Sequence, residues 1–286
     1  MIQNLHNQVS SKCSKLVTES YSTSFSRAIL LFSPEIREAI YNIYGFVRFA
    51  DEIVDTFHEY PKKELLDDFM AQYFDAKEKG ISLNPILHSF VQTVQKYNIN
   101  QDLIDAFISS MYKDLGEINY QNKEEYDAYI YGSAEVVGLM CLKVFVDGNE
   151  EEYQKLQPYA KRLGAAFQKI NFLRDIRADF YVLNRTYFPK VDFMQFSEED
   201  KKSIEEDIAE DFREALVGIK MLPMNSKVAV FMAYKYYINL FKKIRNCRAE
   251  VLMTKRIRVS NARKVYLMFE TLLSKNLNMV GFNFLL

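Results

Sequence analysis

Apolar side chains recur at three- and four-residue intervals along most of this chain, a period that reads as helix. The clearest run opens at Ser33-Pro34-Glu35, with Ser as N-cap, Pro at N1 and an acid in the first turn. From there EIREAIYNIYGFVRFADEIVDTF meets no breaker apart from Gly45, and Ile36, Ile40, Ile43, Tyr44, Val47, Ala50 and Val54 fall on helical intervals. Pro61 and then Gly80 to Pro85 punctuate the next portion. Asn84-Pro85 opens a helix through Tyr97, and further helices are predicted near 101–116 and 123–145. After a turn at Asp147-Gly148-Asn149, one long helix is expected over 151–180. The irregular stretch NRTYFPKVDF follows, then helices over 197–219 and roughly 227–248, and a last one after Asn261. Strand-like alternation is scarce, no period repeats and no linker divides the chain. The pattern predicts a single all-α domain over residues 1–286.

Composition agrees. Among 286 residues there are 9 Gly and 6 Pro, about half of average usage, which favours long helices over many short strands. Net charge is −1, from 37 basic and 38 acidic side chains, so no global field recruits nucleic acid. The one dense basic run, Lys255 to Lys264, has no recognition motif around it and is left to solvation, diphosphate capture or contact with anionic lipid. Cys13, Cys141 and Cys247 are odd in number and widely spaced, which points to a reducing cytosolic setting. The N-terminus is too polar for a secretory segment, and the apolar stretch Ala134–Val146 is too short to span a bilayer. The chain is therefore expected to be soluble and cytoplasmic. Its apolar tail, Met279–Leu286, is read as docking onto the body, or as touching the inner face of the membrane.

Two acidic pairs carry the chemistry: Asp51 with Asp55, and Asp175 with Asp179. Four residues is about one helical turn, or 6 Å of rise, so each pair projects from one helix face. A solvated face is the ordinary reading of such spacing. These pairs, however, sit in apolar sequence, with Arg48 one turn before the first and Arg174 directly before the second. Carboxylates among apolar neighbours are costly unless a cation neutralises them. Asn171 adds a neutral oxygen one turn before Asp175, and Gln168 lies three residues further back. A di-iron bundle would need Glu-x-x-His motifs, and none of His6, His58 or His88 has Glu three residues before it. Oxygen-only ligands favour magnesium or manganese. The hydroxyl-rich segment Tyr21–Arg27 is read either as a helix cap or as phosphate contact through Ser22 and Ser24. The aromatic stripe Tyr41, Tyr44, Phe46 and Phe49, like Tyr236 and Tyr237, fits core or cavity wall.

These residues together resemble the phytoene/squalene synthases, the head-to-head trans-prenyltransferases, over nearly the whole length. The matching strings are S-x-S-F at Ser22–Phe25, Y-x-x-x-R-x-x-D-x-x-x-D at Tyr44–Asp55, Y-x-Y-G-x-A-x-x-V-G at Tyr129–Gly138 and Q-x-x-N-x-x-R-D-x-x-x-D at Gln168–Asp179. Arg185 and Tyr187 before Pro189, Tyr237, and R-x-R-V from Arg256 complete the set, and the wording is most like bacterial phytoene synthases. One departure is Glu135 after Ala134, where the family commonly has Gly.

The resemblance implies an antiparallel helical bundle around a central cavity, of the isoprenoid-synthase type. It implies magnesium, with manganese as a substitute, held by Asp51, Asp55, Asn171, Asp175 and Asp179. Ser22, Ser24, Arg48, Gln168, Asn171, Arg174, Arg185, Tyr187, Tyr237 and Arg256 would hold substrate diphosphate. Tyr44 and Arg48 would join the four acids in catalysis. The implied reaction condenses two prenyl diphosphates, geranylgeranyl diphosphate giving phytoene, with no NADPH. Farnesyl diphosphate is the alternative substrate, and a non-catalytic assembly protein the alternative of another class. A terpene cyclase is disfavoured because its usual Asp-Asp-x-x-Asp string is absent. Oligomeric state is not readable from the chain.

Overall fold

The computed structural model describes residues 2–116, 120, 122–181, 185–189, 191–260 and 266–267, with the side chains of residues 2–4, 23 and 24 outside that description. The helices are α1 (Ile2–Tyr21), α2 (Thr23–Ile29), α3 (Pro34–Asp55), α4 (Lys62–Lys79), α5 (Pro85–Lys96), α6 (Gln101–Asp114), α7 (Lys123–Ile130), α8 (Val136–Phe145), α9 (Glu150–Tyr181), α10 (Glu198–Met221), α11 (Met224–Arg245) and α12 (Ala249–Thr254). Among the described residues there is no strand beyond a bridge residue at Thr186. The fold class read from the sequence holds. The helix expected after Asn261 and the tail Met279–Leu286 lie outside the described residues.

Local chemistry sets the boundaries. Asn84 caps α5, its side chain accepting from the Ile86 and Leu87 amides, and Ser197 and Asp200 form a capping box at α10. Ser33 occupies the N-cap position of α3 without a side-chain cap bond; its backbone N–H donates instead to the Asn225 carbonyl, tying α3 to the start of α11. The run expected as one helix over 123–145 is interrupted by a π-turn, Tyr131–Glu135. There α9 comes so close that a Cβ on Gly164 would lie 2.9 Å from the Glu135 Cα. Such turns are frequent at functional sites. The departure at Glu135 thus sits on the widened turn itself. Its carboxyl is pushed up to about 7 by burial, with Lys161 pulling it down.

The aromatic stripe of α3 divides by face. Phe46 is fully buried and stacks on Phe90 at 3.9 Å, with Phe69, Tyr73 and Phe107 around it, locking α3 to α4, α5 and α6. Tyr44, on another face, looks into a central cavity of about 640 Å³ walled by α2, α3, α8, α9, α10 and α11. The stretch Lys123–Phe145 is long and apolar enough to cross a bilayer by length and composition, but 56% of its apolar window is buried inside the molecule, as for a core helix. The three cysteines are free thiols.

Candidate active site

The acidic pairs end up at one mouth of the central cavity. Asp51 and Asp55 come from the last turns of α3, and Asp175 and Asp179 from the last turns of α9. All four line the cavity, together with Tyr44, Gln168, Asn171, Arg174, Arg185, Tyr187 and Tyr237. Away from the mouth the walls are apolar, with Phe32, Leu142, Phe145, Leu222 and Ala229 among them. Phe32 and Phe145 stack at 5.3 Å.

Most polar groups at the mouth have a traceable partner, although the buried Arg48 Nε has none. Arg185 is the hub. Its Nη1 donates to Asp55 at 3.4 Å, its Nη2 to the Asp114 carbonyl at 3.1 Å, and its backbone N–H to the Asp179 carbonyl at 2.8 Å. One guanidinium thereby joins α3, the end of α6 and the end of α9. Tyr187, two residues on, stacks on Phe172 at 3.8 Å, which fixes the loop against α9. Arg174 and Arg256 both grip Asp175, the latter from Nε at 2.6 Å. Arg48 pairs with Glu52, lies 3.7 Å from Asp51, and covers the ring of Tyr21 at 4.5 Å. The Tyr237 hydroxyl donates to Asn171 at 3.3 Å while its ring stacks on Phe167 at 3.9 Å. Gln168 donates to Ser133 of the π-turn at 3.4 Å. Ser22 serves as the α2 N-cap, accepting from the Phe25 amide at 3.2 Å, and Tyr44 stacks on Phe25 at 5.0 Å. The Ser24 side chain lies outside the described residues.

Spacing alone did not reveal Asp114 or give Tyr129 a role. Asp114 is buried at the end of α6, lines the cavity, and accepts the Tyr129 hydroxyl at 2.8 Å. It has no acid four residues away on either side, unlike the two pairs, and only the fold brings it to them.

Burial and mutual repulsion push the carboxyls up. Asp51 reaches about 7 through burial and then the charge of Asp55. Asp179 reaches about 7 through burial and then Asp175. Asp114 reaches about 7 through burial, with Tyr129 and Arg185 pulling it down. Acids in this condition gain from a nearby dication. Among the described residues no three His, Cys, Asp or Glu groups converge on one point. The oxygen donors that line the mouth, Asp51, Asp55, Asn171, Asp175 and Asp179, are of the kind that suits magnesium, which keeps waters and takes one or two carboxylates plus substrate phosphates.

Comparison with known proteins bears on the family and the fold. The family model for squalene/phytoene synthase matches residues 18–263. A chloroplastic phytoene synthase of Daucus carota is 31% identical over 198 residues, covering 65% of this chain and 47% of that protein. One from an Oncidium hybrid cultivar is 27% identical over 287 residues, covering 91% and 67%. The chain thus spans about half to two thirds of the length of these relatives. Among solved structures, a dehydrosqualene synthase in complex with ligand has TM-score 0.80 at 21% identity, covering 94% of this chain and 98% of that one. The squalene synthase HpnC from Alicyclobacillus acidocaldarius gives 0.72 at 19%, covering 84% and 95%. With the family model spanning both acidic helices and the loop between α9 and α10, the chain belongs to the squalene/phytoene synthase family.

Proposed function

We propose that the protein is a prenyltransferase condensing two geranylgeranyl diphosphates head to head into phytoene, through a cyclopropylcarbinyl diphosphate. The observation that carries this reading is the gathering of acids from α3 and α9, with Arg185 between them, at one end of an apolar cavity. Ionising an allylic diphosphate leaves a carbocation and a departing anion, so one end of the site must attract charge and the rest must stay dry.

Arg48, Arg174, Arg185 and Arg256 supply bidentate donors for diphosphate oxygens, with Ser22, Ser24, Gln168, Tyr187 and Tyr237 as further contacts. In the structure Arg174 and Arg256 rest on Asp175. A diphosphate would compete for both and free that carboxylate. Asp51, Asp55, Asn171, Asp175 and Asp179 would hold magnesium, which when bound supplies Lewis-acid stabilisation of the leaving diphosphate. Tyr44, fixed by Phe25, presents its ring face to cationic carbon. Phe32, Phe145, Leu222 and Ala229 exclude water from the hydrocarbon chains. The last step is loss of a proton, giving a linear hydrocarbon without NADPH.

Support for the C20 substrate comes from the curated relatives, which are phytoene synthases. The farnesyl reading draws on the solved structures of similar fold, named as dehydrosqualene and squalene synthases. Purified protein with magnesium and each radiolabelled prenyl diphosphate, with and without NADPH, separates the two. The expected result is an apolar C40 product from geranylgeranyl diphosphate that is independent of NADPH. A C30 product alone replaces the substrate, and no product from either removes the proposal.

A further inference from the structure

Helices α1, α3 and α5 enclose a second hollow that shares no lining residue with the central cavity. It has a volume of about 360 Å³, where one water needs only ~10–15 Å³ of such space. On α3 its residues Glu35, Glu38 and Asn42 follow one another at three- and four-residue steps. Asn42 leaves that helix about 200° round from Tyr44, which looks into the central cavity. The two hollows therefore lie on opposite sides of one helix.

The pocket exists because its walls are small. Ser11, Ala39, Ser89 and Thr93 are buried there without filling the gap between the helices, and protein interiors seldom leave such gaps. The hydrogens of its polar floor are spent inside the protein. Ser89 Oγ donates to the Ile86 carbonyl at 3.1 Å, and Gln92 Nε2 to the Gly80 carbonyl at 3.2 Å. Thr93 Oγ1 donates to the Ser89 carbonyl at 2.9 Å, so it can only accept from Asn42 Nδ2, which lies at 3.0 Å. That fixes which way the Asn42 amide points. Its Oδ1 is left with no partner, although the residue is only 3% exposed. A buried acceptor in this state calls for a donor.

The rim adds charge of one sign. Glu35 and Glu38 stand exposed, and among the described residues neither enters an ion pair. Lys96, the one cation among the described lining residues, lies over the Tyr97 ring at 4.9 Å. The start of α3 alone would favour an anion, but a helix end carries about half a positive charge and two carboxylates outweigh it. Spare acceptors and a negative rim together describe a ligand that is cationic and rich in hydrogen-bond donors.

We propose that this pocket binds a small primary ammonium ion, with Glu35 and Glu38 at the rim and Asn42 at the floor as its acceptors. A divalent metal ion fits less well, since it needs several oxygens converging on one point, and no group of three acids does so among the described residues. The assignment does not depend on the prenyl diphosphate reading.

Calorimetric titration of the full chain with butylammonium tests this, with tetramethylammonium and potassium at matched ionic strength as cations that lack N–H groups. The expected result is saturable binding of butylammonium alone, weakened about threefold in Glu35→Gln and in Glu38→Gln and about tenfold in the double variant. Both substitutions are at exposed positions, and an unchanged melting temperature without ligand checks that the variants fold. The acids at the cavity mouth are the rival site for a cation, so Asp51→Asn is titrated in parallel and should bind as the parent does. Binding lost in Asp51→Asn but kept in the glutamine variants places the ammonium at the mouth and overturns the proposal. An equal response to tetramethylammonium or potassium also overturns it, since charge screening alone would then be at work. An absence of saturable binding leaves the pocket to water and removes the proposal outright.

Discussion

Helix α9 carries a charge cluster on each of two faces, and they behave in opposite ways. On the α10 side, Lys169 bonds Asp207 at 2.5 Å and Asp211 at 2.6 Å, and Arg162 bonds Asp211 at 3.0 Å. Acids and bases match there, Asp211 has no exposed surface, and every formal charge is answered within the protein. On the cavity side, Asp51, Asp55, Asp114, Asp175 and Asp179 gather at one mouth, and Asp51, Asp114 and Asp179 are pushed up to about 7. The first cluster is closed and holds two helices together. The second is left short of positive charge by the protein alone, which is the condition a cationic ligand relieves.

Substitutions should separate the two clusters. The largest effect belongs to the mouth: Asp51→Asn is expected to lower turnover by about 10³-fold or more, since the acids and arginines act as a unit. Its thermal midpoint should hold or rise, because a carboxylate that resists ionisation has been removed. Steady-state assays beside a melting curve check both halves. Next comes Lys169→Ala, which leaves the buried Asp211 with Arg162 alone and should cost about 1.5–3 kcal/mol of stability in urea unfolding. The fraction still folded should turn over substrate at near the parent rate. Third, Asp114→Asn keeps an acceptor for the Tyr129 hydroxyl but removes the charge beside Arg185; kcat/KM should fall about tenfold, a loss of about 1.4 kcal/mol.

The smallest effect is a pH dependence of the metal-free protein. Asp51, Asp114 and Asp179 bind protons more tightly folded, with values about 7, than unfolded near the ordinary carboxylate range. The native state therefore holds more protons between about pH 4 and 7, and stability falls as pH rises through that window. Melting curves at pH 5 and pH 8 should differ by several degrees, roughly 2–4 °C for each kcal/mol in a chain of this size. Magnesium with inorganic diphosphate should narrow the gap at pH 8 and leave pH 5 nearly unchanged.

Much of this was legible in the residues. The start of α3, the long α9 and both acidic pairs follow from period and spacing, which are local properties. Helix α1 escaped because its buried face is Ser10, Ser11, Ser14 and Thr18, so no apolar period marks it. Helix α4 does bury Leu66, Phe69, Met70, Tyr73 and Ala76, but its charged outer face dilutes that stripe. The π-turn at Tyr131–Glu135 depends on the approach of α9 at Gly164, a tertiary fact. The same distinction runs through the site. Asp51 and Asp175 announce themselves by neighbours one turn away, whereas Asp114 and the grip of Arg256 on Asp175 join groups far apart in the chain.

The central claim is that carboxylates from α3 and α9 share divalent cations with a diphosphate over the apolar cavity. A crystal of the protein with manganese and a non-ionisable prenyl diphosphate analogue, read by anomalous scattering, tests it most directly. The account predicts manganese between Asp51–Asp55 and Asp175–Asp179, with Arg174 and Arg256 moved from Asp175 onto phosphate oxygens. Manganese bound elsewhere, with Asp175 still held by its arginines and the analogue outside the cavity, would contradict it.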